Sequence, residues 1–179
     1  MHKSSSNFFC YIDKFETTLI NKLPKTTSVI YRNYEQDLNI NTILKIKKAC
    51  NKRNLKFYLS NNIKLAIKLN LDGAYIPSFN KNLNFNSYSL KKNFRLLGSA
   101  HNLSEIRCKE RQNINFIFIS PLFSSQKNKK CLGIYKFLKL KKESKKKIVC
   151  LGGINSKNLK MLKFLKCDGL AGISLFREL

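Results

Sequence analysis

The sequence predicts a compact (β/α)8 TIM barrel with a truncated eighth helix, and three observations carry that reading. Eight short apolar runs recur along 179 residues, and helical patterns separate most of them. The runs are apolar throughout rather than alternating, as strands of a parallel sheet buried on both faces must be. A doubly wound open sheet is the alternative arrangement of the same units. Barrels of this type typically reach ~250 residues, so eight units here are close to minimal. The composition, 43% hydrophobic and 25% charged, is ordinary for a globular chain and excludes a disordered one. The length is that of one domain, taken as residues 1–179.

The elements follow in order. Phe8-Phe9-Cys10-Tyr11-Ile12 is the first strand, ended by Asp13, and Ser28-Val29-Ile30-Tyr31 is the second, ending at Arg32. Ile40, Ile43, Leu44 and Ile46 then form a stripe at helical spacing. Phe57-Tyr58-Leu59 is the third strand, followed by the shorter stripe Ile63, Leu65, Ala66 and Leu69. The fourth strand, Gly73-Ala74-Tyr75-Ile76, leads into a polar loop from Asn80 to Asn86. Arg95-Leu96-Leu97-Gly98 is the fifth strand, with a helix expected from Ser104 to Arg111. Phe116-Ile117-Phe118-Ile119 is the sixth, with a helix from Gly133 to Lys142. Ile148-Val149-Cys150-Leu151 is the seventh. A helix from Asn155 to Lys166 follows it, capped by Asn155 or Ser156 and burying Leu159, Leu162 and Leu165. Gly169 to Ile173 is the eighth strand, and only five residues follow Ser174.

Thirty-five basic residues against ten acidic ones give a net charge of +25. Phosphate neutralisation by such a chain would drive nucleic-acid binding. Yet 29 of the 35 cations are lysines, they are scattered, and Asn, Ile, Phe and Tyr are abundant with them. That skew matches the coding bias of an AT-rich genome, whereas nucleic-acid surfaces favour arginine. Nucleic acid is therefore not the expected partner, although a basic surface helps to collect phosphorylated small molecules. No apolar run approaches the ~18–20 residues that span a bilayer. The first residues carry no apolar signal segment. A cytoplasmic protein without a membrane partner is expected. The six cysteines lie no closer than 17 residues apart, which gives no C-x-x-C or zinc-type pair. They are read as reduced, with no catalytic or metal role.

In a barrel the chemistry sits at the C-terminal strand ends. Here these carry Asp13, Arg32, Ser60-Asn61-Asn62, Pro77-Ser78, Ser99, His101, Ser120-Pro121, Gly152-Gly153 and Ser174. Glycines after the seventh strand let backbone N–H groups approach a phosphate, and a helix starting behind them would add partial positive charge. Ile173-Ser174, after the eighth strand, completes the usual barrel phosphate cup. Tight-turn glycines are the plainer alternative. His101 is the one histidine besides His2, and histidine is the side chain suited to proton transfer near neutrality. A structural histidine bonded to a loop carbonyl is the other reading. Arg32 can clamp a phosphate or be one more surface cation.

Four segments then occur in order: Gly98-Ser99-Ala100-His101, Ile119-Ser120-Pro121-Leu122-Phe123-Ser124-Ser125, Leu151-Gly152-Gly153-Ile154-Asn155 and Gly169-Leu170-Ala171-Gly172-Ile173-Ser174. Together they resemble the thiamine phosphate synthase/TenI family, most clearly from Asp72 to Ser174. The resemblance implies a (β/α)8 barrel. It implies a synthase that joins hydroxymethylpyrimidine diphosphate to thiazole phosphate with magnesium, or a TenI-type protein that binds thiazole phosphate. Some of the latter tautomerise the thiazole with a histidine as acid and base. The phosphate-holding roles then fall on Gly152, Gly153, Ile173 and Ser174, the histidine role on His101, and substrate contacts on Arg32, Ser99, Ser125 and Lys127.

The departures decide between the two. Where synthases of this family carry Asn-Asp-Arg, with the Asp a magnesium ligand, this chain has Ser60-Asn61-Asn62, and Asn80 stands at the second metal carboxylate. Magnesium prefers anionic oxygen, so two neutral substitutions weaken such a site. Of the diphosphate-gripping Gln-x-Arg-x-Lys only Arg32 remains, and the Thr-x-Thr-Lys loop has become Ser125-Gln126-Lys127-Asn128. A TenI-like thiazole phosphate protein is therefore expected, with no metal ligand assigned. Magnesium is expected only for the alternative, a divergent synthase. A non-catalytic phosphate-ligand or nucleic-acid-binding barrel is the third reading. A homo-oligomer is compatible with each, because a partner subunit could cover the place of the eighth helix.

Overall fold

The computed structural model describes residues 7–34, 38–124 and 130–177, without the side chains of Asn86 and Ser174. Eight parallel strands close into a barrel in chain order. They are β1 (Asn7–Ile12), β2 (Thr27–Tyr31), β3 (Lys56–Ser60), β4 (Gly73–Ile76), β5 (Arg95–Ala100), β6 (Phe116–Ile119), β7 (Lys147–Leu151) and β8 (Gly169–Gly172). The helices are α1 (Thr17–Lys22), α2 (Ile40–Lys52), α3 (Ile63–Lys68), α4 (Leu103–Arg111), α5 (Gly133–Glu143), α6 (Leu159–Leu162) and α7 (Ser174–Arg177). Every strand lies where its apolar run predicts it. The ring is sealed by β8 pairing with β1, Phe9 standing beside Ala171. No helix among the described residues is long and apolar enough to cross a membrane.

Strand alternation divides the core in two. Phe9, Tyr11, Ile30, Tyr58, Tyr75, Leu97, Phe118, Val149 and Ala171 point inward and fill the barrel. Their neighbours, such as Cys10, Val29, Phe57, Ala74 and Ile117, point outward under the helices. The interior is aromatic, with Phe9 edge-on to Phe118 at 4.9 Å and Tyr75 meeting both Tyr11 and Phe118 at 5.5 Å. Rings of this size need small residues opposite them. A Cβ on Gly73 would lie 2.8 Å from the Tyr58 ring and 1.9 Å from the Arg95 carbonyl oxygen.

At the opposite end of the barrel a clasp recurs. Asp72, Asn115 and Asp168 each immediately precede an even-numbered strand. Their side-chain oxygens accept the backbone N–H of Phe57, Leu96 and Ile148, the second residues of β3, β5 and β7. Each also donates its own N–H to the carbonyl oxygen of that same residue. Two of the ten acidic residues are thereby spent on joining strands.

Two connections differ from the sequence expectation, and a third, the polar loop between β4 and β5, is as expected. α1, with only the adjacent pair Leu19 and Ile20 buried, shows no stripe in the sequence. The expected helix from Asn155 contracts to α6 and a 3-10 turn at Lys163–Leu165. Asn155 Oδ1 accepts the N–H groups of Lys157 and Asn158, so its side chain competes with its own carbonyl, which accepts from Asn158 and Leu159, for the donors of the first turn. Between β4 and β5 there is no α-helix, only a 3-10 turn at Asn84–Ser87.

That fourth connection is fixed from α4. Lys109 is fully buried, and its Nζ donates to the carbonyl oxygens of Pro77 and Asn80 and to Gln112 Oε1, each within 2.9 Å. Gln112 Nε2 donates in turn to the carbonyls of Asn80 and Asn82. Burial pulls the Lys109 ammonium down from 10.5 to about 8. Above that pH the folded protein sheds a proton that the unfolded chain keeps, so this group's contribution to stability rises with pH up to its unfolded value. Lys109→Met leaves the carbonyls unpaired and is expected to cost about 1–3 kcal/mol near neutrality. Chemical denaturation from about pH 7 to about pH 10 should show the native protein gaining on that variant as pH rises. A gap that narrows instead would contradict the lowered pKa of Lys109.

Candidate active site

The C-terminal mouth of the barrel has a polar floor. Alternation turns Ser60, Ser99 and Ser120 inward at the ends of β3, β5 and β6, above the phenols of Tyr11 and Tyr75. The Arg32 guanidinium lies 5.2 Å above the Tyr11 ring, at the end of β2, with its backbone N–H bonded to the Ile12 carbonyl. Burial pushes the Tyr75 phenol up to about 12 and the Tyr11 phenol well above its usual range, so both are neutral donors. The Tyr11 hydroxyl lies toward Tyr75 but makes no hydrogen bond of good geometry. The buried Ser60 hydroxyl likewise has no partner within the protein.

His101 stands on the rim between three strands. Its Nδ1 lies 2.7 Å from the Ser120 carbonyl oxygen. A carbonyl only accepts, so Nδ1 carries a proton, and the tautomer this bond selects has its lone pair on Nε2. The Ser78 hydroxyl, 3.2 Å away, donates to that Nε2. The His101 backbone N–H donates to Glu105 Oε2 at 2.7 Å. Ser99 holds the arrangement from below, its Oγ accepting the Ser78 backbone N–H at 3.0 Å. The loop-carbonyl bond and the exposed basic nitrogen coexist, so the structural and chemical readings of this histidine are not exclusive.

Gly152 and Gly153 follow β7 with φ of +96° and +67°. A Cβ on Gly153 would sit 2.4 Å from the Phe123 carbonyl oxygen, and one on Gly152 2.8 Å from Pro121 Cα. The glycines thus let the loops after β6 and β7 touch, and Leu122 and Phe123 donate their N–H groups to the carbonyls of Leu151 and Gly152. Asn158 Nδ2 occupies the Gly153 carbonyl at 2.7 Å. With both carbonyls engaged by protein, the N–H groups are what this loop has to offer an anion. No helix opens directly behind the pair, because α6 begins only at Leu159. The dipole expected from the sequence is absent from that place. Ile173 packs against the interior cluster, and Ser174 opens α7. Gly152 meets Pro121, whose neighbour Ser120 holds His101, so the glycine loop and the histidine share one stretch of rim.

On the far side, Asn61 and Asn80 meet. Asn80 Nδ2 donates to Asn61 Oδ1 at 2.8 Å, and the Asn82 N–H on Asn80 Oδ1 fixes which way that amide points. Asn61 has φ +58°, a left-handed conformation that asparagine tolerates. The pair offers neutral oxygen only, and both oxygens already accept an N–H. Among the described residues no group of three or more His, Cys, Asp or Glu side chains converges. Two amides bonded to each other do not fit a magnesium ion.

Of the residues singled out from the sequence, the fold brings Arg32, Ser99, His101, Gly152, Gly153, Ile173 and Ser174 to one mouth. Ser125 and Lys127 lie outside the described residues. The Ser99 hydroxyl at this mouth is used to hold Ser78. Sequence reasoning assigned no role to Ser78, Ser120, Tyr11 or Lys109. The first three were visible as inward or strand-end positions; a buried lysine on a charged helix carried no signal.

Comparison with known proteins agrees with the fold. Residues 12–176 match the family model described as "Thiamine monophosphate synthase". The thiamine-phosphate synthase of Lactococcus lactis subsp. cremoris (strain MG1363) is 28% identical over 83% of this chain and 69% of its own length. The putative thiamine-phosphate synthase 2 of Aquifex aeolicus (strain VF5) is 25% identical over 94% of this chain and 92% of its own. Among solved structures, a thiamine phosphate pyrophosphorylase from Pyrococcus furiosus superposes with a TM-score of 0.76 at 16% identity. That alignment covers 96% of this chain and 86% of the other, a likeness of fold.

The glycine loop yields a direct test of packing against backbone strain. Gly133 also has positive φ, +70°, but a Cβ there meets nothing within 4 Å. Gly133→Ala should therefore cost only strain, about 1 kcal/mol. Gly153→Ala adds a collision with backbone and should cost about 3 kcal/mol or more. Equal losses in thermal unfolding would remove the packing argument.

Proposed function

The chain belongs to the thiamine monophosphate synthase/TenI family of thiamine biosynthesis enzymes, and we propose that within it this protein binds thiazole phosphate and tautomerises the thiazole with His101 as acid and base. The observation that carries the proposal is the oriented imidazole. The Ser120 carbonyl holds the proton on Nδ1, which leaves Nε2 to accept a proton from the ligand. Isomerisation needs no more than that: Nε2 takes one proton from the ring and returns it at another position, with no net gain or loss. Such positioned proton transfer contributes typically ~10²–10⁴-fold. Ser78 must swing from Nε2 as the ligand enters, and its Oγ can then take a polar ligand atom.

The remaining contacts follow from the mouth. The N–H groups of Gly152 and Gly153, with Ile173 and Ser174, take the phosphate, and Arg32 faces a second anionic group such as the thiazole carboxylate. The unpartnered hydroxyls of Tyr11 and Ser60 supply donors in the floor. The Asn61–Asn80 amide bond supports a reaction without magnesium.

One observation favours a second reading. The curated relatives are named thiamine-phosphate synthase. If this chain is also a synthase, magnesium and the pyrimidine diphosphate must find charge elsewhere than at Asn61 and Asn80.

Calorimetric titration separates the two. Thiazole phosphate carboxylate should bind with or without a chelator, and hydroxymethylpyrimidine diphosphate with magnesium should not bind. His101→Asn should leave the ligand's Kd within a few fold and lower tautomerisation by at least about 100-fold. Magnesium-dependent binding of the pyrimidine ligand, or full activity in that variant, would overturn the proposal.

A further inference from the structure

The fold brings together two thiols that the sequence keeps 17 residues apart. Cys150 on β7 and Cys167, just ahead of β8, have their sulfur atoms 2.9 Å from each other. A disulfide bond is about 2.05 Å long, so the sulfurs need to close by less than about 1 Å. Cys150 is fully buried between the strand ring and the helices, whereas Cys167 is partly open to solvent. Lys141 stands beside them, its Nζ bonded to the carbonyl oxygens of Leu165 and Lys166 at 2.6 and 2.7 Å.

The two sulfurs are not equivalent. The Cys150 S–H donates to Cys167, which holds the Cys167 thiol below its usual range, and the Lys141 charge acts in the same direction. The same hydrogen bond and burial push Cys150 up. Cys167 is thus the accessible thiol with thiolate character, the property that sets reactivity toward disulfides, and Cys150 is the neighbour placed to resolve it.

We propose that Cys150 and Cys167 are a redox-active dithiol that a small disulfide of the glutathione class converts into an internal disulfide, stapling the two ends of the β7–β8 connection. The Cys167 thiolate attacks one sulfur of the small disulfide and expels the other as a thiolate. Cys150 then gives up its proton and attacks the Cys167 sulfur of the mixed disulfide, which expels the second small thiol. Two protein thiols are oxidised, one small disulfide is reduced to two thiols, and both protons end on them.

The stapled segment, residues 151–166, carries Gly152, Gly153, Asn155 and Asn158, and its regular structure is limited to α6 and one 3-10 turn. A crosslink across such a segment removes freedom mainly from the unfolded chain. The proposal stands whether or not the glycine loop binds phosphate.

The test uses the full chain equilibrated with reduced or oxidised glutathione. Oxidation should remove two hydrogens from the intact mass, yield a linked Cys150–Cys167 peptide and raise the unfolding midpoint, all reversed by dithiothreitol. Cys131→Ser, which removes the exposed cysteine, should keep each of these effects, and Cys167→Ser should lose them. A stable glutathione adduct on Cys167, or oxidised protein without the linked peptide, overturns the proposal. The peptide map of the native chain decides this even if a variant fails to fold.

Discussion

The geometry of the mouth hangs on one buried ammonium. The connection from β4 to β5 lacks the α-helix that would anchor it; Phe85, Tyr88 and Leu90 pack its later part against the core, but none of residues 78–82 is buried. Lys109 and Gln112 replace that anchor by satisfying the carbonyls of Pro77, Asn80 and Asn82 from within. Ser78, which meets His101, and Asn80, which meets Asn61, both lie on the backbone so held. A cation buried without a carboxylate is costly. Here three oxygen acceptors surround it, and the cost is returned as a fixed loop.

The barrel interior explains why that loop has something to act upon. Short strands leave few inward positions, so the ring is filled with large rings: Phe9, Tyr11, Tyr58, Tyr75 and Phe118. Filling a barrel with tyrosine rather than leucine brings hydroxyls with the volume, and those of Tyr11 and Tyr75 come up beneath the mouth. Packing and polarity of the floor thus have one origin. Glycine at position 73 and alanine at 171 are the complementary small residues that let the rings fit.

The strands were legible because burial on both faces makes each an unbroken apolar run, and the larger helices α2, α4 and α5 because amphipathic periodicity survives the lysine-rich composition. α1 escaped because its apolar residues are one adjacent pair, Leu19 and Ile20, whereas the equally short α3 repeats them at Ile63 and Ala66. The helix after Asn155 was overestimated because Asn155 and Asn158 bond backbone and each other, a competition invisible to hydrophobic spacing. The mouth was legible residue by residue, but not in its couplings. The family resemblance puts Asn61 and Asn80 at one site, but nothing in the sequence says that Ser120 fixes the tautomer of His101 or that Cys150 meets Cys167, because each pair joins neighbouring βα units.

Those couplings give the two sides of the mouth different chemistry. From β5 to β7 it offers an oriented imidazole and a glycine loop whose carbonyls are engaged by protein; at β3 and β4 it offers a closed amide pair. Carboxylates at Asn61 and Asn80 would repel an anionic ligand unless a cation stood between them. Carboxamides remove that repulsion along with the cation's donors, and the surrounding chain is strongly basic, with a net charge of +25. On the proposed reading, attraction for a phosphorylated ligand then comes from the field of the whole protein. Arg32, the polar floor and the glycine loop set its orientation, and His101 is left with a task that needs one proton and no metal.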